Sequence, residues 1–448
     1  MIQASGSADT PGSKRLILVN VADDPREVAH PLTVTMKPLL STSRPTGCEA
    51  SHTFAVNSAS ASDGTRLNAL TGSRFFAATS VLAYHFWVNH ASLLPGIAGK
   101  LASQGSVAVS FFFVLSGFVL THVYFARAAR PRIFWRARFA RIYPAYAMAF
   151  ALALPFYIAR ATQAHMSVTH QALVITTDAA MFQSWMPWTF NGVNGPGWSL
   201  ATEVFFYALF PALIVLVRRV KMRSFLAIGM AWWLVCLTLH LVIWSMRSQS
   251  ADPGLVYWLD GVNMANPILR SAAFVLGMCT AIIYRHVQGR WPTQPIVNGS
   301  KWSFAAWTVM ELGSLALTIG LLVQPWIPAH LTITIIVSPV FGLLIFLLAQ
   351  QRGALARVLS IPVLVILGEI SYGIYIFQIP VYTLFNSAIA TLQVYPGPIM
   401  SGAVYFTMLV ACALVSLYCV ERPLKRAITH VRRQPVLIRT TIDGREPT

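Results

Sequence analysis

Ten runs of about twenty apolar residues constrain this chain more than any other feature. They lie at about 69–90, 104–124, 142–161, 197–217, 224–245, 268–286, 302–325, 329–350, 361–386 and 398–420. A helix needs ~20 apolar residues to cross the hydrocarbon core of a bilayer. The expected fold class is therefore all-α: a polytopic transmembrane helical bundle of about ten spanning helices, with a mostly disordered N-terminal tail. An eleventh stretch, 168–186, is weaker because Thr169, Thr176, Thr177, Asp178 and Gln183 interrupt it. We read it as interfacial or re-entrant.

Charge supports this reading. Only 11% of residues are charged, against about 25% in a soluble domain. Lys and Arg number 33 against 15 Asp and Glu, a net of +18. Such an excess on a soluble domain suggests nucleic acid, but here the cations sit between apolar runs, as on a cytoplasmic membrane face. With the N-terminus inside, the inner segments hold Arg127, Arg130, Arg132, Arg136, Arg138 and Arg141, then Arg218, Arg219, Lys221 and Arg223. Arg285, Arg290, Lys301, Arg352, Arg357 and the tail from Arg422 follow. The outer segments hold only Lys100, Arg160, Arg247 and Arg270. The alternation requires that 168–186 does not cross, and it puts both termini in the cytoplasm.

The expected organisation is a disordered cytoplasmic tail at 1–66, a membrane domain at 67–426 and a cytoplasmic tail at 427–448. Residues 1–66 are rich in Ser, Thr, Pro and Asp and lack sustained periodicity. No internal repeat is visible, which counts against an inverted-repeat transporter. The five cysteines show no CxxC spacing, so neither a metal site nor a disulfide framework is indicated.

Ionisable residues inside a bilayer are costly and point to function. Arg74 and His85 share the first span, eleven residues apart. That is about three helical turns and roughly 16 Å, so both face one side. Glu203 lies five residues past Trp198, which we take as the outer boundary of the fourth span. Its depth is then about 7–8 Å, close to that of His85. An intramembrane carboxylate needs a partner or a proton. His85, Arg74 and a bound substrate are candidates, and depth favours His85. A His–carboxylate pair can orient an imidazole acting as a general base. A structural ion pair is the alternative. Ser116–Gly117 falls in the middle of the second span, where small residues permit close helix approach; packing explains Ser116 better than nucleophilic chemistry. In RPRIFWRARFARIYP, arginines alternate with apolar residues, so a short amphipathic segment is expected on the inner surface. Arg138 and Arg141, one turn apart, form a fork suited to phosphate oxygens. Ordinary positive-inside charge is the competing reading.

The stretches LTGSRFFAATSVLAYH, FFFVLSGFVL, RFARIYP, WSLATEVFFYALFP, ISYGIYIFQIPV and VERPLKR follow one another in an order that resembles the acyltransferase-3 family of bacterial membrane (O-)acyltransferases. The resemblance covers roughly residues 66–426. Its most specific elements are Arg-x10-His, matched by Arg74 and His85, and Arg-x-x-Arg, matched by Arg138 and Arg141. Trp-Ser-Leu-x-x-Glu is matched by Trp198, Ser199, Leu200 and Glu203. Two positions depart from the family pattern: Thr71 stands where Asp is frequent, and Gln378 where His is frequent.

The resemblance implies an inner-membrane enzyme that moves an acyl group, most often acetyl, from acyl-CoA to a hydroxyl of an extracytoplasmic carbohydrate. O-antigen, exopolysaccharide, lipo-oligosaccharide and lipid-linked glycans are acceptors of that kind. It implies membrane lipids as the surroundings and neither a metal nor a nucleic acid. On this basis Arg138 and Arg141 are expected to hold CoA phosphates, and the pantetheine arm to pass Arg74. His85 is then the catalytic base, with Glu203 in support. The competing classes are a transporter or flippase for lipid-linked saccharide, which needs no acyl-CoA, and a non-catalytic scaffold.

Overall fold

A computed structural model of the protein describes residues 17–18, 67–89, 95–126, 130–290, 301–394, 396–429 and 437–438. The tails expected at 1–66 and 427–448, and Cys48, lie outside the described residues except for Ile17–Leu18, residues 427–429 and Leu437–Ile438. The chain divides into two compact units, one formed by 1–66 and 430–448, the other by 67–429. In the first unit Ile17–Leu18 pairs antiparallel with Leu437–Ile438.

The second unit is helical. In chain order it comprises α1 (Asn68–Asn89), α2 (Gly96–Ser103), α3 (Ala108–Tyr124), α4 (Pro131–Gln163), α5 (Val168–Ala179), α6 (Gly197–Arg219), α7 (Met222–Gln249) and α8 (Pro253–Ala265). Then come α9 (Pro267–Arg290), α10 (Lys301–Val323), α11 (Ala329–Leu331), α12 (Ser338–Ala349), α13 (Ala354–Leu359), α14 (Pro362–Leu392), α15 (Pro398–Val415) and α16 (Arg422–Thr429). Lipid offers the backbone no hydrogen-bond partners, so each apolar run closes its own ladder. Pro131, Pro253, Pro362 and Pro398 open their helices at the first turn, where a missing N–H costs nothing.

Eight of these helical segments are long and apolar enough to cross a membrane. The pair Ala329–Ile336 and Ser338–Ala349, bent by 48°, makes a ninth if it is one span. These nine coincide with nine of the ten expected runs. The remaining one is α1, whose 22 residues reach about 33 Å but carry too many polar groups to join that set. It packs against α14, α13, α2 and α3. The 12 residues of α5 reach only about 18 Å, too short to span. The arginine-rich run 131–145 departs from expectation. It is not a separate surface segment but nearly the first half of α4, one continuous helix of 33 residues.

The apolar windows of α2–α3 and α8–α9 are 72% buried, whereas those of α7, α10 and α15 are 17–22% buried. The first group forms the core and the second the rim. Small residues allow the core helices to touch. A Cβ on Gly117 would lie 2.0 Å from the Phe274 carbonyl oxygen, and one on Gly277 would lie 1.9 Å from that of Val114. Backbone therefore meets backbone where α3 crosses α9. Glu311, an acidic residue inside α10, is buried because it caps another helix: its carboxylate accepts the N–H groups of Gly353 and Ala356 at the start of α13, each at 3.2 Å.

Candidate functional site

Two cavities open within the helical unit. The smaller, about 350 Å³, is lined by Arg74 from α1, Ser116 from α3, Arg138 and Arg141 from α4, Glu203 and Tyr207 from α6, and Tyr372 and Tyr375 from α14, among others. The larger, about 820 Å³, lies toward the last turns of α1, α4 and α7 and takes in His85, Arg160, Trp198, Arg247, Asp260 and His330. Val109 and Tyr375 line both. They form the partition between the two spaces.

The small cavity gathers most of the residues singled out by sequence. Among its described lining residues three guanidiniums stand against one carboxylate, with Glu369 acting on Arg74 and Glu421 on Arg141 from outside the lining; the lining itself is net positive and suited to an anion. The Glu203 carboxylate accepts hydrogen bonds on Oε1 from Ser116 Oγ at 2.9 Å and from Tyr207 Oη at 2.5 Å. Arg138 lies over the rings of Phe134 and Tyr207 at 5.8 and 5.9 Å, and its buried Nε has no partner. Such stacking holds a guanidinium in place while its terminal nitrogens stay available. Arg141, one turn on, is exposed in the same space. Tyr372 Oη donates to the Ile142 carbonyl at 2.6 Å and ties α14 to α4 beside it.

Ser116 corrects the packing expectation. The Ser116–Gly117 pair splits its duties, with Gly117 meeting α9 while Ser116 turns into the cavity and binds Glu203. The first turns of α6 split likewise. Trp198 lines the large cavity, whereas Ser199 and Glu203 line the small one. The Ser199 hydroxyl sits 2.7 Å from Tyr375 Oη and 3.0 Å from the Pro196 carbonyl.

The expected pairing of His85 with Glu203 does not form. His85 lines the large cavity, edge-on to Tyr84 at 5.0 Å, while Glu203 binds Ser116 and Tyr207. Trp198, the residue from which the depth of Glu203 was counted, is buried within the bundle, edge-on to Phe113 at 6.4 Å and beneath the Arg270 guanidinium. The turn before α6 is sunk into the bundle: Asn194 Nδ2 donates to the Ile376 carbonyl, near the midpoint of α14. The Asp178 carboxylate at the end of α5 pins that turn by accepting from the amides of Val193 at 2.7 Å and Asn194 at 3.3 Å. Burial pushes Asp178 up to about 7, against the opposing effect of those two bonds.

Sequence reasoning passed over three further residues. Tyr207 sits one turn after Glu203 on the same helix face, a spacing that was visible. Tyr375 lay within a stretch used only for the family resemblance. Arg270 was counted as an outer cation, yet it is 1% exposed. Its guanidinium donates to the Thr334 carbonyl at 2.9 Å and to Ser110 Oγ at 3.0 Å. It also lies over Phe113 at 5.3 Å and Trp198 at 5.8 Å, one ring from each cavity wall. Gln378, where the family pattern often has His, is buried and donates from Nε2 to the Tyr375 carbonyl at 2.8 Å.

Comparison with known proteins finds relatives among acyltransferases. Over 331 residues the chain is 33% identical to Acyltransferase MdmB of Streptomyces mycarofaciens, covering 69% of this chain and 78% of that one. It is 25% identical over 379 residues to the Putative peptidoglycan O-acetyltransferase YrhL of Bacillus subtilis (strain 168), covering 80% and 54%. It is 23% identical over 384 residues to O-acetyltransferase OatA of Staphylococcus aureus, covering 80% and 57%. The chain thus spans little more than half the length of the last two. No solved structure matches. Residues 67–419, which carry both cavities, match the family described as an acyltransferase domain, and the chain belongs to this acyltransferase-3 family.

Proposed function

We propose that the protein is a membrane O-acyltransferase that takes its acyl group, in the first place acetyl, from acyl-CoA. The acceptor is a hydroxyl of an extracytoplasmic carbohydrate. In this reading both termini face the cytoplasm of a bacterial inner membrane, so the small cavity faces the donor side and the large one the acceptor side. The observation that carries it is the pair of cavities with a common wall at Val109 and Tyr375, one holding three arginines and the other His85. An acyl-CoA has an anionic end and a thin arm ending in a thioester. Arg138 and Arg141 take the phosphates, with Arg74 beside the arm. Glu203, with Ser116 and Tyr207, holds the set of cations in register rather than supporting His85.

The chemistry needs little more than positioning and a base, because a thioester is already activated. His85 accepts the proton of the acceptor hydroxyl. The oxygen attacks the thioester carbonyl, the C–S bond breaks, and CoA leaves as a thiolate that takes up a proton. The test is to incubate detergent-purified protein with acetyl-CoA and follow CoA release with and without candidate glycans. Glycan-dependent release supports the proposal. Absence of acetyl-CoA binding, with transport of a lipid-linked saccharide, replaces it with the flippase reading.

A further inference from the structure

The sequence places four cations in the segments read as outer: Lys100, Arg160, Arg247 and Arg270. Three of them converge on the large cavity. Arg160, on the last turn of α4, and Arg247, on the last turn of α7, line it directly. Arg270 lies behind its Trp198 wall at 5.8 Å. Lys100 is engaged elsewhere, by the Val323 carbonyl. On a face that excludes cations, such convergence is not the background level of positive charge.

Among the described residues the cavity's acidic lining is Asp260, and it is spoken for. Its Oδ1 sits 2.5 Å from Arg247 Nε, which neutralises that arginine and leaves the guanidinium's two terminal nitrogens open. Arg160 is exposed, and its side chain has neither an ion pair nor a hydrogen bond among the described residues. Among the described residues the lining therefore carries one uncompensated fixed positive charge, that of the exposed Arg160. Asn191, Tyr84 and Phe190 add amide and aromatic surface to the lining, and Asn263 lines it with its Oδ1 engaged by His240. His330 adds a buried Nε2 without a partner.

We infer that the acceptor site takes a saccharide bearing an oxyanion, a carboxylate or a phosphate, that Arg160 binds while a hydroxyl of the same molecule reaches His85. This rests on the acyltransferase reading above and narrows its acceptor class. The same oxyanion chemistry is offered by a phospholipid headgroup at the cavity mouth, and the experiment separates the two.

Protein is placed in nanodiscs of phosphatidylcholine alone or with phosphatidylglycerol. Equilibrium binding is measured for 4-nitrophenyl β-D-glucuronide against 4-nitrophenyl β-D-glucoside, and for glucose 6-phosphate against glucose. Acetyl-CoA affinity is measured in the same preparations. At least one anionic probe should bind about tenfold or more tighter than its neutral counterpart in both lipids, the scale of one charged hydrogen bond. Arg160→Ala should bring the ratio close to one, and Arg160→Lys should keep part of it. Two results overturn the inference: neither anionic probe outbinding its neutral partner, or an advantage that survives Arg160→Ala. An advantage erased by phosphatidylglycerol assigns Arg160 to the headgroup and likewise overturns it. Loss of acetyl-CoA binding alongside an intact anionic preference counts only against the acyltransferase reading.

Discussion

Removing the Tyr207 hydroxyl tests how the donor cavity is held together. Tyr207→Phe keeps the ring beneath Arg138 but deletes the 2.5 Å bond to Glu203 Oε1, leaving Ser116 as the remaining donor at 2.9 Å. A hydrogen bond to a charged group contributes about 1.5–3 kcal/mol. Glu203 is only half-buried, so the lower part of that range applies, about 1.5–2 kcal/mol. Glu203→Gln keeps an oxygen for both hydroxyls but makes the bonds neutral, and it removes the one carboxylate among the described residues that line the cavity with the three arginines. The two changes should therefore couple. In a double-mutant cycle read by reversible unfolding in mixed micelles, the coupling should reach about 1 kcal/mol, beyond the ~0.3–0.5 kcal/mol within which independent sites add. The same variants should lose acetyl-CoA affinity without losing expression. Additivity within that margin, or Glu203→Gln with wild-type donor affinity, would refute the claim that this carboxylate organises the cavity.

His85→Ala should abolish transfer while sparing acetyl-CoA binding, since a lost general base typically costs 10²–10⁴ in rate; near-normal turnover per folded molecule removes His85 from the mechanism. Changing Arg138 and Arg141 together to Ala should weaken donor binding about tenfold or more, and Arg141→Lys should restore only part, because Lys keeps the charge but not the fork. Unchanged donor affinity returns both residues to ordinary inner-face charge. Gly277→Ala pushes a Cβ to 1.9 Å from the Val114 carbonyl and should destabilise the bundle by about 1–3 kcal/mol or more. Gly313→Ala, with nothing within 4 Å, should not, and equal melting shifts for the two contradict the close crossing of α3 and α9. Asp178, whose pKa rises from 3.8 to about 7 on folding, binds its proton more tightly in the native state. Its contribution to stability is then full below about pH 4 and lost as pH climbs through about 7. Asp178→Asn should flatten that slope in thermal melts, and an unchanged slope points to another group.

Apolar run length and the scarcity of charge are properties of the chain itself, and they were enough to place nine spans and to leave 168–186 out. Spacing within one helix was equally legible: Arg138 and Arg141 lie one turn apart in sequence and enter one cavity in the structure. Residues on different helices were another matter, because a hydropathy profile supplies position along an axis but neither rotation about it nor the depth at which a chain re-enters the bundle. Trp198 looked like a boundary residue, yet the turn at Asn194 bonds to the middle of α14, so Glu203 sits with Ser116 and Tyr207 and not with His85. Arg270 looked like a surface cation until packing enclosed it between Phe113 and Trp198. Ser116 and Gly117 are neighbours in sequence but about 100° apart around α3, so one faces a cavity and the other a helix. The partition at Val109 and Tyr375 joins residues 266 positions apart. Local pattern determined which segments are helices and which residues are costly to bury. Only the packing of those helices decided which costly residues meet, because the free energy of each pairing depends on distances that no single segment contains.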